Sequence, residues 1–278
     1  MKYQFAGFSF GAGVQSTALL VLLKHEPQRL QNAMGHLAQK AYFADTGAEL
    51  SATYQHLEAL ENAELYYPGW LETVNNGSIL DGSRTGFNTR ATPPLFTPGD
   101  DSRTGMLRRQ CTSEFKVTPV RRALRLDSGL KPRQKAKPRS VGLWLGISVD
   151  EAQRMADNRS KWIQNLYPLI ELGFDRSNCV EYCRRFGWEP PKSKCYFCPF
   201  TSNWSQMARN HPEDFAKAVE FDEKVRNLSS AGVERPCYVH RSLKPLALAV
   251  ENQGDLFEGY GDDWQWGMNN ECLGYCGT

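Results

Sequence analysis

A chain of 278 residues, 41% hydrophobic, is long enough to bury a sizeable core without help from disulfides. Its formal net charge of +2 supplies no overall field that demands nucleic acid or an anionic membrane, so either partner must be argued from a local patch. No window reaches 18 apolar residues and the opening MKYQFAGFSF lacks the pattern of a secretory signal, so a cytoplasmic protein with no membrane partner is expected.

Residues 3–10, YQFAGFSF, read as a buried strand, a glycine turn follows, and Ser16–Lys24 reads as a helix. A second unit repeats the pattern, with a strand at Ala41–Asp45 and a helix at Ser51–Asn62, and Leu65–Tyr67 is a candidate third strand. Residues 75–101, rich in Gly, Pro, Asn, Ser and Thr, read as a long loop placed over the site as a lid. Pro119–Leu126 reads as a helix, Lys131, Arg133, Lys135, Lys137 and Arg139 form a basic run, and Val141–Ile147 resumes as a buried strand. Past Tyr167–Ile170 the character changes: cysteines cluster between 179 and 198, and helices are expected at 203–209 and 212–226.

Strands alternating with helices predict an α/β fold, a parallel twisted sheet with helices on both faces. The expected division is a nucleotide-binding domain over 1–170 and a helical, cysteine-bearing region over 171–278.

The turn Phe8-Ser9-Phe10-Gly11-Ala12-Gly13-Val14-Gln15-Ser16-Thr17 joins a strand to a helix N-terminus, where backbone N–H groups and the helix dipole hold phosphate oxygens. It lacks the Lys of a Walker A motif and the spacing of GxGxxG. Gly11 and Gly13 permit close approach of a ligand, and Ser16 and Thr17 add hydroxyl donors.

Gly11–Thr17 resembles the SGGxDS(T) loop of the PP-loop ATP pyrophosphatases. Asp45-Thr46-Gly47 resembles the DTG of their phosphoadenylyl-sulfate reductase branch, and Gly146–Glu151 with Arg154 resembles that branch's later nucleotide segment. The chain is thus similar over most of its length to a phosphoadenylyl-sulfate-reductase-like subgroup of phages and bacteria. It departs from the pattern at Gly11, where the family has its first Ser although Ser9 is nearby, and at Gln15, which replaces an Asp that helps hold magnesium. The resemblance implies an adenine nucleotide alpha hydrolase-like fold and an ATP–Mg²⁺ site at Ser9, Gly11, Gly13, Gln15, Ser16, Thr17, Asp45, Thr46, Gly47, Arg109, Gly146, Ser148 and Arg154.

Cys111 lies in the basic cluster Arg108–Lys116, where positive charge lowers a thiol pKa and clamps anions. Lys116, with Pro119 and Arg122, resembles the family's Lys-x-x-Pro segment and is a candidate catalytic residue. Cys195 and Cys198 have the spacing of a metal-binding or redox pair. Spacing does not choose between zinc and an iron–sulfur cluster. The resemblance favours a [4Fe–4S] cluster, with Cys111, Cys179, Cys195 and Cys198 as expected ligands and Cys183 as the competing fourth. Glu271-Cys272-Leu273-Gly274-Tyr275-Cys276 resembles the thiol-bearing tail of sulfonucleotide reductases, which makes Cys272 and Cys276 candidate nucleophiles.

His211, His240, Trp204, Trp264 and Trp266 read mainly as structural residues, and the basic run mainly as a solvated loop, with a phosphate backbone as its alternative partner. Taken together, the expectation is an ATP-dependent sulfur transferase. It would adenylate a small molecule or a nucleic-acid base, take sulfur from sulfide or a cysteine desulfurase, and be free to form a homodimer. The alternatives are a sulfonucleotide reductase and a non-catalytic nucleotide- or nucleic-acid-binding module.

Overall fold

The structure, a computed structural model, describes residues 3–81, 93–100, 104–131, 133–228 and 233–251. In chain order it forms β1 (Phe5–Ser9), α1 (Val14–His25), α2 (Pro27–Met34), β2 (Lys40–Ala44), α3 (Ser51–Asn62) and β3 (Leu71–Val74). The short strands β4 (Phe96–Pro98) and β5 (Thr104–Met106) follow, then a π-helical segment Thr112–Val117 that runs into α4 (Thr118–Asp127). Next come β6 (Val141–Leu145), a 3₁₀ turn Val149–Arg154, β7 (Ile163–Leu166), α5 (Pro168–Glu171) and α6 (Arg176–Arg185). The described chain ends with α7 (Trp204–Asn210), α8 (Pro212–Lys224) and α9 (Leu246–Glu251).

Five strands make one parallel sheet in the order β3-β2-β1-β6-β7, and β4 and β5 pair antiparallel apart from it. Central β1 pairs on both sides, Phe8 opposite Ala41 of β2 and Trp144 of β6. Side chains alternate across the sheet as the pleat requires. Phe8, Ala41, Phe43 and Trp144 enter a core shared with α1, α2, α3 and α6. Tyr42, Ala44, Leu143 and Leu145 enter another, which α4 closes through Val120, Ala123 and Leu124. Gly7 lets α4 approach, because a Cβ there would sit 2.6 Å from Leu124 Cδ1. Helices therefore cover both faces, as the strand–helix alternation predicts.

The strand expected at Leu65–Tyr67 is instead a turn, and the third strand is Leu71–Val74. Glu64 and Gly69 both take left-handed φ, 49° and 81°, so the chain reverses twice between α3 and the sheet. Leu65 and Tyr66 pack into the core from that turn, which explains their apolar character. Helix α2 and strand β7 were not anticipated, and neither were β4 and β5. Residues 82–92 and 101 of the expected lid lie outside the described residues, whereas Phe96–Pro98 is a strand rather than loop.

A third core lies under the C-terminal part: Tyr196, Phe197, Trp204, Met207, Phe221, Val225, Cys237, Val239 and Leu246 gather around Phe197, whose ring stacks on Phe221 with centroids 3.8 Å apart. It also takes in Ala48, Leu50, Ile79, Leu95 and Phe115 from the first half of the chain. Helix α6, by contrast, packs on α1 and joins the core of the sheet's α1 face. Among the described residues no helix is long and apolar enough to cross a membrane.

Candidate functional site

The strand order reverses at β1, whose successors lie on the β2 side while β6 lies on the other. Open parallel sheets bind ligands at such a switch point, beyond the carboxyl ends of the strands. Three segments meet there: the glycine loop after β1, Asp45-Thr46-Gly47 after β2, and Gly146–Ser148 after β6. Gly146 eases the meeting, since a Cβ there would lie 3.2 Å from Ser16 N, closer than ordinary contact.

Within the glycine loop, Ala12 holds a left-handed φ of 56° and Gly13 is the extended N-cap of α1. Turns of this kind gather successive N–H groups into a concave anion site, and the first turn of the helix adds donors that lack carbonyl partners within it. The side chains do something else. Gly13 N–H donates to Ser16 Oγ at 3.1 Å, and the Ser16 hydroxyl donates to Gly13 O at 3.0 Å. Thr17 is fully buried, with Oγ1 2.9 Å from His56 Nε2, so it braces α1 against α3 and does not face a phosphate as expected. Burial drives the His56 pKa down to about 4 and keeps its ring neutral.

Gln15, also buried, donates to Glu151 Oε2 at 3.4 Å, and Glu151 is ion-paired with Arg154 at 3.0 Å. The position that resembles a magnesium ligand thus carries no charge, and its neighbouring carboxylate is occupied by Arg154. This set does not fit a protein-held magnesium ion. Ser148 is wholly buried at the mouth of β6, and its Oγ has no hydrogen-bond partner. Ser9 is buried at the end of β1.

On the other side of the loop lies the cysteine turn. A Cβ placed on Gly13 would be 3.6 Å from Ser193 Cβ, two residues before Cys195. The segment is fastened to the loop after β2 by two backbone bonds, Leu50 N–H to Lys194 O at 3.1 Å and Tyr196 N–H to Ala48 O at 3.0 Å. Cys198 N–H donates to Cys195 O at 3.1 Å and closes the Cys195–Cys198 turn.

Glu49 is the hub beneath this turn. Its Oε1 accepts from Thr46 Oγ1 at 3.0 Å, pairs with Lys116 Nζ at 3.0 Å, and lies 3.8 Å from the donating thiol of Cys195. Thr46 Oγ1 is itself 3.4 Å from Cys195 Sγ. Glu49 Oε2 is buried without a hydrogen-bond partner. Lys116 comes from the π-helical segment that starts beside Cys111, a wide turn common at functional sites. Arg109 joins the same segment to the cysteine turn: its Nε donates to Thr112 Oγ1 at 3.0 Å and its guanidinium lies 5.3 Å from the centre of the Phe200 ring. Asp45 stands at the rim, accepting from Gly47 N–H and the Tyr54 hydroxyl, each at 2.8 Å.

The structure therefore gathers the elements bearing Cys111, Cys195 and Cys198, all half-buried, around Glu49. It does not bring Cys179 to them. Cys179 and Cys183 lie on α6, which packs against α1, and both are fully buried in the core of α1 and α2. That burial raises the thiol pKa of both, to about 12 at Cys183. Among the described residues no three His, Cys, Asp or Glu side chains form a group that could hold a metal ion. The expected set of Cys111, Cys179, Cys195 and Cys198 accordingly does not fit a four-thiolate cluster or zinc site, because its second member belongs to another core. Cys272 and Cys276, with Trp264 and Trp266, lie outside the described residues. Trp204 is a core residue, and His240 is nearly buried, its Nδ1 2.7 Å from Ser242 Oγ.

Sequence reasoning passed over Glu49, His56 and Ser193. Glu49 had one local signal, a lone charge between the apolar Ala48 and Leu50 directly after the Asp-Thr-Gly turn. No family model matches the chain, and no curated protein matches it.

Proposed function

We propose that the chain is a cytoplasmic, ATP-dependent sulfur transferase with an adenine nucleotide alpha hydrolase-like fold. The observation that carries the reading is the proximity of Gly13, at the amino end of α1, to Ser193, which leads into a cysteine turn seated on the Lys116–Glu49 pair. In this reading the phosphate-holding loop and the Cys195 thiol lie on neighbouring segments near the switch point of the sheet.

In this reading the loop N–H groups hold the phosphates of ATP. A carbonyl oxygen of the acceptor attacks the α-phosphorus, and pyrophosphate leaves. Sulfur, supplied as sulfide by a donor, attacks the activated carbon, and AMP leaves with the former carbonyl oxygen. Oxygen is exchanged for sulfur at one oxidation level, so no reductant is consumed. Glu49, which accepts from the Cys195 thiol, is placed to take that thiol's proton, and Lys116 balances the carboxylate. The Cys195 thiolate so formed takes a proton from incoming hydrogen sulfide, so that hydrosulfide is the attacking species and no oxidation state changes.

The test is anaerobic incubation of the full chain with ATP, Mg²⁺, ³⁵S-sulfide and either bulk cellular RNA or a small-molecule extract. Equal release of AMP and pyrophosphate with ³⁵S incorporation, reduced in Cys195→Ser, is the expected result. Sulfite release from phosphoadenylyl sulfate without AMP formation from ATP would replace this reading with the reductase.

A further inference from the structure

The basic run lies at the opposite, amino end of β6, one strand length from the glycine loop, roughly 17 Å for five residues. Residues 131–139 hold five Lys or Arg and no Asp or Glu, in a chain whose net charge is only +2. The five alternate along the chain and all are exposed, while Ala136 between them packs against the α4 face of the sheet. Arg159 and Lys161 widen the surface, because Arg139 N–H donates to Lys161 O at 2.8 Å.

This run is pinned rather than loose. Arg125 grips its backbone, donating to Lys131 O at 2.9 Å and Gln134 O at 2.5 Å, and its guanidinium lies 5.5 Å from the centre of the Trp162 ring. Lys131 N–H donates to the Gln134 side chain at 2.9 Å. Among the described residues the run has one ion pair, Arg139 with Asp157 at 3.4 Å, and both partners are exposed. Asp127, the other nearby carboxylate, is engaged by Lys40 and Tyr42.

A fixed row of five cations, one of them ion-paired, with only Pro, Gln and Ala between them, complements a row of phosphates. It offers no large apolar side chain to enter a lipid surface. We infer that this face binds the sugar–phosphate backbone of a nucleic acid. Binding of this kind is electrostatic and independent of base sequence, with dissociation constants on the order of micromolar to 100 micromolar at physiological salt. The inference stands apart from the ATP reading, since the two surfaces lie at opposite ends of the sheet.

The experiment is fluorescence anisotropy of labelled 20-nucleotide RNA and DNA, single- and double-stranded, titrated with the full chain between 50 and 200 mM KCl. The comparison is with Arg133→Gln/Lys135→Gln/Lys137→Gln, an exposed set outside the candidate active site. Binding that weakens tenfold or more in the variant, with the log–log salt slope reduced by about 2 to 3 and an unchanged melting temperature, is expected. No binding at 50 mM KCl, equal affinity and slope in the two proteins, or binding to phosphatidylserine vesicles in place of nucleic acid would overturn the inference. ATP binding measured on the same variant separates its failure from that of the proposed function.

Discussion

Lys116 and Glu49 form an ion pair 3.0 Å long whose side chains are 5% and 0% exposed. Such a pair is costly to desolvate and more costly to break, because the survivor is left charged in the interior. Lys116→Met should lower unfolding free energy by about 3 to 5 kcal/mol, and Lys116→Met/Glu49→Leu should recover much of that loss. Urea unfolding of the two variants checks this. A double variant worse than the single one by the full value of a second lesion would mean that the residues do not act as a pair.

His56 makes stability depend on acid. Its folded pKa of about 4 lies below the ordinary value of 6.5, so the unfolded chain takes up the proton first. Stability is therefore complete above pH 6.5 and declines as pH falls from there towards 4. The contribution at stake is on the order of 3 kcal/mol. His56→Gln, which keeps a partner for Thr17, should flatten the melting temperature between pH 7 and 5 relative to the parent.

Asp214 ties the C-terminal core to the sheet by capping α3. It accepts from Ser51 N–H at 2.9 Å and from Ser51 Oγ at 2.6 Å. Burial raises its pKa, but the bonds from Ser51 and Lys217 outweigh that and leave it lowered. Asp214→Ala should cost about 1 to 3 kcal/mol by thermal or urea unfolding.

The thiols of the described residues should divide into two reactivity classes. Cys111, Cys195 and Cys198 are half-buried, whereas Cys179, Cys183 and Cys237 are fully buried with raised pKa values. Brief iodoacetamide treatment of the native protein, followed by peptide mass spectrometry, should modify the first three and spare the second three. Early modification of Cys179 would contradict its place in the core.

Much of the fold was legible because periodicity reports burial directly: YQFAGFSF, AYFAD and VGLWLGI are strands whose apolar runs lie between two covered faces. Leu65–Tyr67 misled because a turn can bury apolar side chains as well as a strand does, and the real edge strand Leu-Glu-Thr-Val shows less apolar character. The glycine loop was legible through its position between strand and helix. Its side-chain roles were not, since whether Thr17 faces a phosphate or His56 depends on α3, 39 residues later in the chain. Cys179 and Cys195 look equivalent in one dimension, and only the packing of α6 on α1 separates them. Glu49 acts through Lys116 and Cys195, partners that no local pattern joins to it.

The account rests on the glycine loop as a phosphate cradle, and Gly13→Asp tests it most directly. Gly13 has φ −102° and stands at the N-cap, where Asp is favoured, and its Cβ would meet Ser193 at ordinary contact distance. The substitution should therefore keep or slightly raise the melting temperature while placing a negative charge against bound phosphate. Isothermal titration of ATP into both proteins is expected to show binding by the parent and a loss of at least tenfold in Gly13→Asp. Equal ATP affinity in the two proteins, or no ATP binding by the parent, would contradict the account.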